Sequence, residues 1–369
     1  MKPLFNILLL ASALILIFTR CDRGPDPTDP IKIPDQAFLA ALLGDLVDEH
    51  GNAQIIDTNA DGKISYAEAE VITFLNVSKK GILYLSGIEE FINLEELWCF
   101  DNQLSDIDIS DNNALVVLYC WNNHLSTLDV SHNAGLEGLD CANNQISTLD
   151  VSTNDSLVSL NFNYNLLSAI DVSNNDSLKF LHGSGNRLSA LDVSSNSALT
   201  LVDCSFNRLS TLDVSNNDAL EVLACNNCLL SSLDVSNNPA LYTLSCMNNQ
   251  LTTLDLSNNS ALVDLYCMEN QLTTLDVASN HKLVDLFCSQ NLLSSIDVSN
   301  KLYLRNLYCG ANQISTLDIS KSYSLWNLYV NEMPTLTEVC VWVMPFPPEN
   351  IMVNSTGSPN VYFTTECSN

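Results

Sequence analysis

The chain has 369 residues, with 14 Lys and Arg against 43 Asp and Glu and a formal charge of −29. That balance argues against nucleic acid as a partner, because phosphate recognition needs clustered basic side chains. It suits an extracellular, soluble protein in contact with multivalent cations, and the length suffices for a large core.

Lys2 and the apolar run from Leu4 to Thr19 read as an export signal over residues 1–20, since the run is too short to span a membrane comfortably. The segment Phe18-Thr19-Arg20-Cys21 resembles the lipobox of bacterial lipoproteins. That resemblance implies a lipidated Cys21 at the mature N-terminus, hence an outer-membrane or cell-surface protein that meets the membrane only through its lipid. Arg20 stands where the pattern wants a small residue, so ordinary cleavage and secretion is the alternative. Residues 21–33 are rich in Pro and Asp and read as a tether.

Residues 34–72 form the next unit. Asp35 is placed as an N-cap, and Phe38, Leu39, Leu42, Leu43, Leu46 and Val47 share one face of a helix. Gly51 to Gln54 interrupts it. The run from Asp57 to Glu68 then fills the twelve positions of an EF-hand loop. Asp57, Asn59, Asp61, Ser65 and Glu68 stand at the side-chain ligand positions, Lys63 offers its carbonyl, and Gly62 takes the sharp turn. Hard oxygen donors at these offsets predict one Ca²⁺. A helix that does not run straight into the loop, with no second loop beside it, predicts a structural ion rather than a sensor.

Residues 73–333 repeat. Cys recurs at 99, 120, 141, 204, 225, 246, 267, 288 and 309, always 21 residues or a multiple apart. Phe162 and Gly183 fill the skipped rungs, and Val330 follows. Each unit splits into two near-copies of one apolar pattern, so Leu118 with Cys120, and Leu128 with Val130, point inward two apart as strands require. An Asn such as Asn123 or Asn133 follows each half and suits a corner. These residues resemble the leucine-rich-repeat family, in the 21-residue bacterial form called IRREKO, with one internalin-like turn from Leu75 to Leu94 ahead of it. The resemblance implies a mainly β, right-handed repeat solenoid with two short parallel strands per turn. A small helical EF-hand-like cap precedes it, and a β-rich cap over residues 334–369 follows it.

The rung cysteines are expected to be reduced, buried small hydrophobes. Stacked Cβ atoms about 4.8 Å apart do not meet the ~3.8 Å that a disulfide needs. In Cys225-x-x-Cys228 the second Cys takes a corner position that leucine-rich repeats fill with Asn or Cys. Cys340 and Cys367 lie outside the register and are expected to form a disulfide across the terminal cap.

One outward column is uniform, running from Asp108 through Asp129 and Asp213 to Asp318. Neighbouring carboxylates repel by roughly 0.8 kcal/mol even in water, and Ser and Thr hydroxyls two residues away can offset this. The outward column of the Cys strand varies. Trp98, Phe100, Tyr119 and Trp121 open it, polar residues occupy the middle, and Tyr266, Phe287, Tyr308 and Tyr329 close it. Exposed aromatics mark recognition surfaces, although stacked rings also strengthen a sheet. The five His show no metal or nucleophile motif, so the reading is of a non-enzymatic protein. It is expected to bind a protein or glycan on the Cys-strand face, with a rigid envelope spacer as the alternative.

Overall fold

The computed structural model describes residues 26–48 and 50–367. The export signal and Cys21 lie outside the described residues. From Phe74–Asn76 to Met352–Asn354 the chain lays down fourteen short strands, all paired in parallel, into a single sheet. Alternation builds it: Leu118 and Cys120 are fully buried, while Val117 and Tyr119 face outward and keep partial exposure. The buried side chains form one continuous cluster from Ile31 to Val341. Caps and repeats therefore share a core.

Two Asn columns turn the corners. Asn123 Nδ2 donates to Cys120 O at 2.9 Å and to Cys99 O at 3.1 Å, and its Oδ1 accepts Leu104 N–H at 3.0 Å. One side chain thus satisfies three backbone groups that turning would leave unpaired. At the second corner Asn133 Nδ2 donates to Ile109 O and Asn112 O.

The second strand of each coil needs correction. Its residues bury Leu128 and Val130, but among the described residues a hydrogen-bonded second sheet forms only at the C-terminal end, from Thr316–Asp318, Glu338–Cys340 and Tyr362–Thr364. Further back a single bridge joins Asp192 and Asp213. Asp318 pairs in register with Cys340, and Cys340 with Thr364. The file of carboxylates ends there and the coils close. Leu191 and Leu212 keep 8 % of their surface exposed, against 2 % for the equivalent Leu317 at the closed end.

The N-terminal cap differs as well. The segment read as tether is docked from residue 26 onward. Ile31 and Ile33 are buried, Ile31 N–H bonds Ile64 O at 2.8 Å, and Ala67 N–H bonds Pro27 O at 2.9 Å. The N-terminal cap is mixed rather than helical: α1 (Gln36–Leu42), a hairpin of Leu46–Val47 against Ala53–Gln54, and α2 (Tyr66–Glu70). The hairpin takes over where the apolar face was expected to continue as helix. Asp48 accepts His50 N–H at 2.9 Å and Asn52 N–H at 2.7 Å and so closes its turn. Asp35 caps α1 through Ala37 and Phe38 and also accepts Leu83 N–H at 2.8 Å and Tyr84 N–H at 3.0 Å. One carboxylate thereby ties the cap to the first repeat. Burial opposes its ionisation, but the N–H groups of Phe38, Leu83, Tyr84 and Ala37 outweigh this and hold it below the usual carboxylate range.

Candidate functional site

On the strand face, adjacent strands bring the early aromatics together. Trp98 pairs in register with Tyr119, with ring centroids 5.6 Å apart. Phe100 stacks on Trp121 at 4.4 Å and 7°. Lys79 lies 5.7 Å over Phe100 and 3.8 Å from Asp101. Buried Phe74 meets Trp98 edge-on at 5.2 Å, and the Trp98 indole N–H is buried without a partner. At the far end Phe287, Tyr308 and Tyr329 form a stack with 4.1 Å between successive rings, and Tyr266 leans on Phe287 at 5.0 Å.

All eight rings are half-buried. Their stacking strengthens the sheet, by roughly 0.5–1.5 kcal/mol per pair. In Phe100–Trp121 and in Phe287–Tyr308–Tyr329 it also covers ring faces with neighbouring rings.

Other residues on this face were not legible from the Cys-flanking positions alone. Beside the late stack runs a polar row in which Asn306 Nδ2 donates to Asp285 Oδ1, and Asn327 Nδ2 to Asn306 Oδ1 at 2.6 Å. Tyr266 Oη donates to Asp285 Oδ2 at 3.4 Å. Burial, with Asp264 and Asp285 nearby, pushes Tyr266 up to about 12. At the rim the Arg305 guanidinium lies 4.7 Å over Trp326, which is 53 % exposed. The middle coils are not uniformly polar either: Tyr164, Phe180 and Phe206 are exposed. Tyr164 and Phe206 occupy the left-handed position just before the corner Asn, at φ 54° each. Reading every outward position of the unit, rather than the two flanking the Cys, is the signal that finds them.

The Asp face is different in kind. Each carboxylate of the column is committed locally: Asp129 Oδ1 accepts Ser131 N–H at 2.9 Å, and Asp213 accepts Ser215 N–H at 2.9 Å. Bonds from the Ser215 hydroxyl and N–H hold Asp213 below the usual range although Asp192 and Asp234 push it up. The expected repulsion is thus outweighed. Clefts between coils on this face repeat one lining, such as Thr211, Asp213, Ser232 and Asp234.

The loop from Asp57 to Glu68 is folded around its own acceptors. Asp57 Oδ2 takes Gly62 N–H at 2.9 Å, Asn59 Oδ1 takes Asp61 N–H at 2.8 Å, and Asp61 Oδ1 takes Lys63 N–H at 2.9 Å. Gly62 turns at φ 78°. Glu68 is buried, and its oxygens accept from Thr58 and Ser65, the latter closing a capping box on α2. Burial opposes the charge, but the Ser65 and Thr58 bonds bring Glu68 down to about 2. Among the described residues no three His, Cys, Asp or Glu side chains form a metal-sized group. Asp57, Asn59, Asp61, the Lys63 carbonyl, Ser65 and Glu68 together offer an all-oxygen donor set, the chemistry a hard cation such as Ca²⁺ would take.

The ten other described cysteines are buried and free, and Cys340 is joined to Cys367 with Cα atoms 5.3 Å apart. The bond ties Glu338–Cys340 to the last described residues of the cap. Among the described residues no helix is long and apolar enough to cross a membrane.

No protein-family model and no curated protein matches the sequence. Solved structures do. The functional domain of InlJ from Listeria monocytogenes, which includes a cysteine ladder, is 32 % identical with a TM-score of 0.70, over 75 % of this chain and 70 % of that one. An internalin (inlF) from Listeria monocytogenes shares 22 % identity at TM-score 0.71, covering 91 % of this chain and 96 % of its own. A leucine-rich-repeat protein of Leptospira interrogans shares 21 % at TM-score 0.62, covering 76 % and 83 %.

Proposed function

The chain belongs to the bacterial leucine-rich-repeat proteins, and from that membership we propose that it is an exported binding protein that holds another protein on its strand face. The carrying observation is the contrast between the two faces. The Asp column repeats one residue with every carboxylate bonded locally, whereas the strand face varies from coil to coil and gathers aromatics at both ends. Variation is where a ligand can be discriminated. A protein is favoured over a glycan because the stacked rings cover one another's faces, which a sugar would need to stack on, and leave edges and hydroxyls outward.

The role is binding rather than catalysis. Export is supported by the leader pattern of residues 1–20 and by a cap disulfide, which suits an oxidising compartment. Lipidation of Cys21 would anchor the chain at the envelope. A calcium ion held at the Asp57–Glu68 loop would stiffen the cap without touching the binding face. The second reading, a rigid spacer, draws on the single core that runs through caps and repeats.

The test is capture from native cell envelopes with two variants. Trp98→Ala with Trp121→Ala should lose a partner that Asp213→Asn with Asp234→Asn retains. A spacer retains no partner with either face intact.

A further inference from the structure

The turn between the second corner and the strand changes character in the last coils. Its first position runs from Asn113 to Ser260 through small or polar residues and Pro239, and its next from Ala114 to Ala261 through Ala, Gly and Ser alone. Later coils place Leu302 and Tyr323 at the first position, and Lys282 and Tyr303 at the second. The position just before the strand holds Val263 and Val284, and then Arg305 and Trp326. Leu302, Tyr303, Tyr323 and Trp326 are all more than half exposed. The fold does not ask for them. The same turn closes on Ala, Ser or Asp in earlier coils, and large apolar side chains left in water add little burial.

Two contacts hold this rim in shape. The Arg305 guanidinium lies 4.7 Å over the Trp326 ring, and Tyr323 meets Trp342 of the terminal cap edge-on at 5.8 Å. Stacking fixes the guanidinium plane and covers one of its faces, but leaves the N–H groups at its edges open. Among the described residues they make no hydrogen bond or ion pair. An oriented, planar fork of unspent donors matches a carboxylate, which it takes through two parallel bonds. Aromatic side chains and Arg are also the residues that anchor protein interfaces.

We propose that this late rim is a second docking surface, which takes an acidic segment of a protein partner. Arg305 binds a carboxylate of the segment, and Leu302, Tyr303, Tyr323 and Trp326 take the apolar side chains beside it. The proposal rests on the reading of the chain as a binding protein, but not on the strand-face aromatics. Charge decides the occupant. A bilayer would bring a continuous anionic plane against a chain of formal charge −29, with Asp297 and Asp318 of the carboxylate file in these same coils. A second copy in a two-fold pair would offer the same basic edge again. A narrow acidic segment meets the basic group alone.

The experiment measures binding of the full chain to a labelled random copolymer of glutamate and tyrosine, by fluorescence anisotropy at rising salt. The wild type should bind, and more weakly as salt rises. Arg305→Val with Trp326→Val, which restores the residue type of Val263 and Val284, should bind at least about tenfold more weakly with its melting unchanged. Arg305→Lys keeps the charge without the fork and should fall between. Trp98→Ala with Trp121→Ala should bind as the wild type does. A copolymer that ignores the wild type, or that binds the Arg305 and Trp326 double variant equally, would overturn the proposal. Loss of binding in the Trp98 and Trp121 variant alone would move the segment to the strand face and overturn it too. So would wild-type association with phosphatidylglycerol vesicles, or a wild-type dimer on ultracentrifugation, that the Arg305 and Trp326 variant abolishes. A negative copolymer result leaves envelope capture on the strand face standing, so the two failures are distinct.

Discussion

Phe162 occupies the volume that Gly183 leaves empty: a Cβ on Gly183 would lie 2.5 Å from Phe162 Cζ and 2.8 Å from Cε2. The two departures from the cysteine column are therefore one feature, a large residue on one rung accommodated by the smallest on the next. Tyr164 and Gly185 repeat it on the surface, with an added Cβ again 2.5 Å from the ring.

This relationship predicts a coupled mutant cycle. Gly183→Cys alone overpacks the core and should cost about 1–3 kcal/mol. Phe162→Cys alone leaves a cavity and should approach the ~3–5 kcal/mol of a Phe-to-Ala change. The double variant restores the regular column and should recover part of the loss, a coupling of about 0.5–3 kcal/mol. Denaturant unfolding of the four proteins measures it.

Acid should weaken the N-terminal cap first. The folded-state pKa values of Glu68 and Asp35 are depressed, Glu68 to about 2 against an ordinary 4.5. The unfolded chain then binds more protons across that interval, so the stabilisation is complete above about pH 4.5 and is lost as pH falls toward 2. Hydrogen exchange at pH 7 and pH 3 should show the backbone of α1 and α2 losing protection before the central strands. Glu68→Gln should flatten the part that comes from α2. Equal loss of protection in cap and centre would contradict the assignment.

The calcium reading predicts one ion per chain with millimolar to sub-millimolar affinity, as in extracellular modules. Calorimetric titration should show binding to the wild type and none to Asp57→Ala with Asp61→Ala, in protein whose central repeats melt unchanged. Identical traces for the two proteins would remove the site.

The solenoid was legible because one unit recurs often enough for every inward position to be read many times over. Leu118 and Cys120 are buried, and Asn123 bonds the corner carbonyl, as the repeat requires. What was not legible depends on neighbouring coils rather than on the unit. Leu128 and Val130 alternate like a strand, yet among the described residues a second sheet forms only from Thr316–Asp318 onward. Cys228 donates its thiol to the Cys204 carbonyl of the preceding coil at 3.4 Å, a bond between coils that no spacing rule within one unit reveals. The aromatic positions were legible, but their mutual stacking was not. As a result Trp121→Ala is expected to reduce stability as well as binding.

The Asp column carries a revised expectation. Relief of repulsion would make Asp213→Asn stabilising. With Asp213 held below its usual range by Ser215, the substitution should instead leave the melting temperature unchanged or slightly lower. A clear rise on thermal denaturation would show that repulsion wins after all.

The central claim is that the variable strand face, and not the uniform Asp face, meets the partner. Hydroxyl-radical footprinting of the full chain, free and in complex with a protein captured from the native envelope, tests it most directly. The expected result is protection of Trp98, Phe100, Tyr119 and Trp121, or of Tyr266, Phe287, Tyr308 and Tyr329, with Leu191 and Leu212 behind the Asp column labelled equally in both states. Protection confined to Leu191 and Leu212, with all eight aromatics labelled as in the free protein, would contradict it.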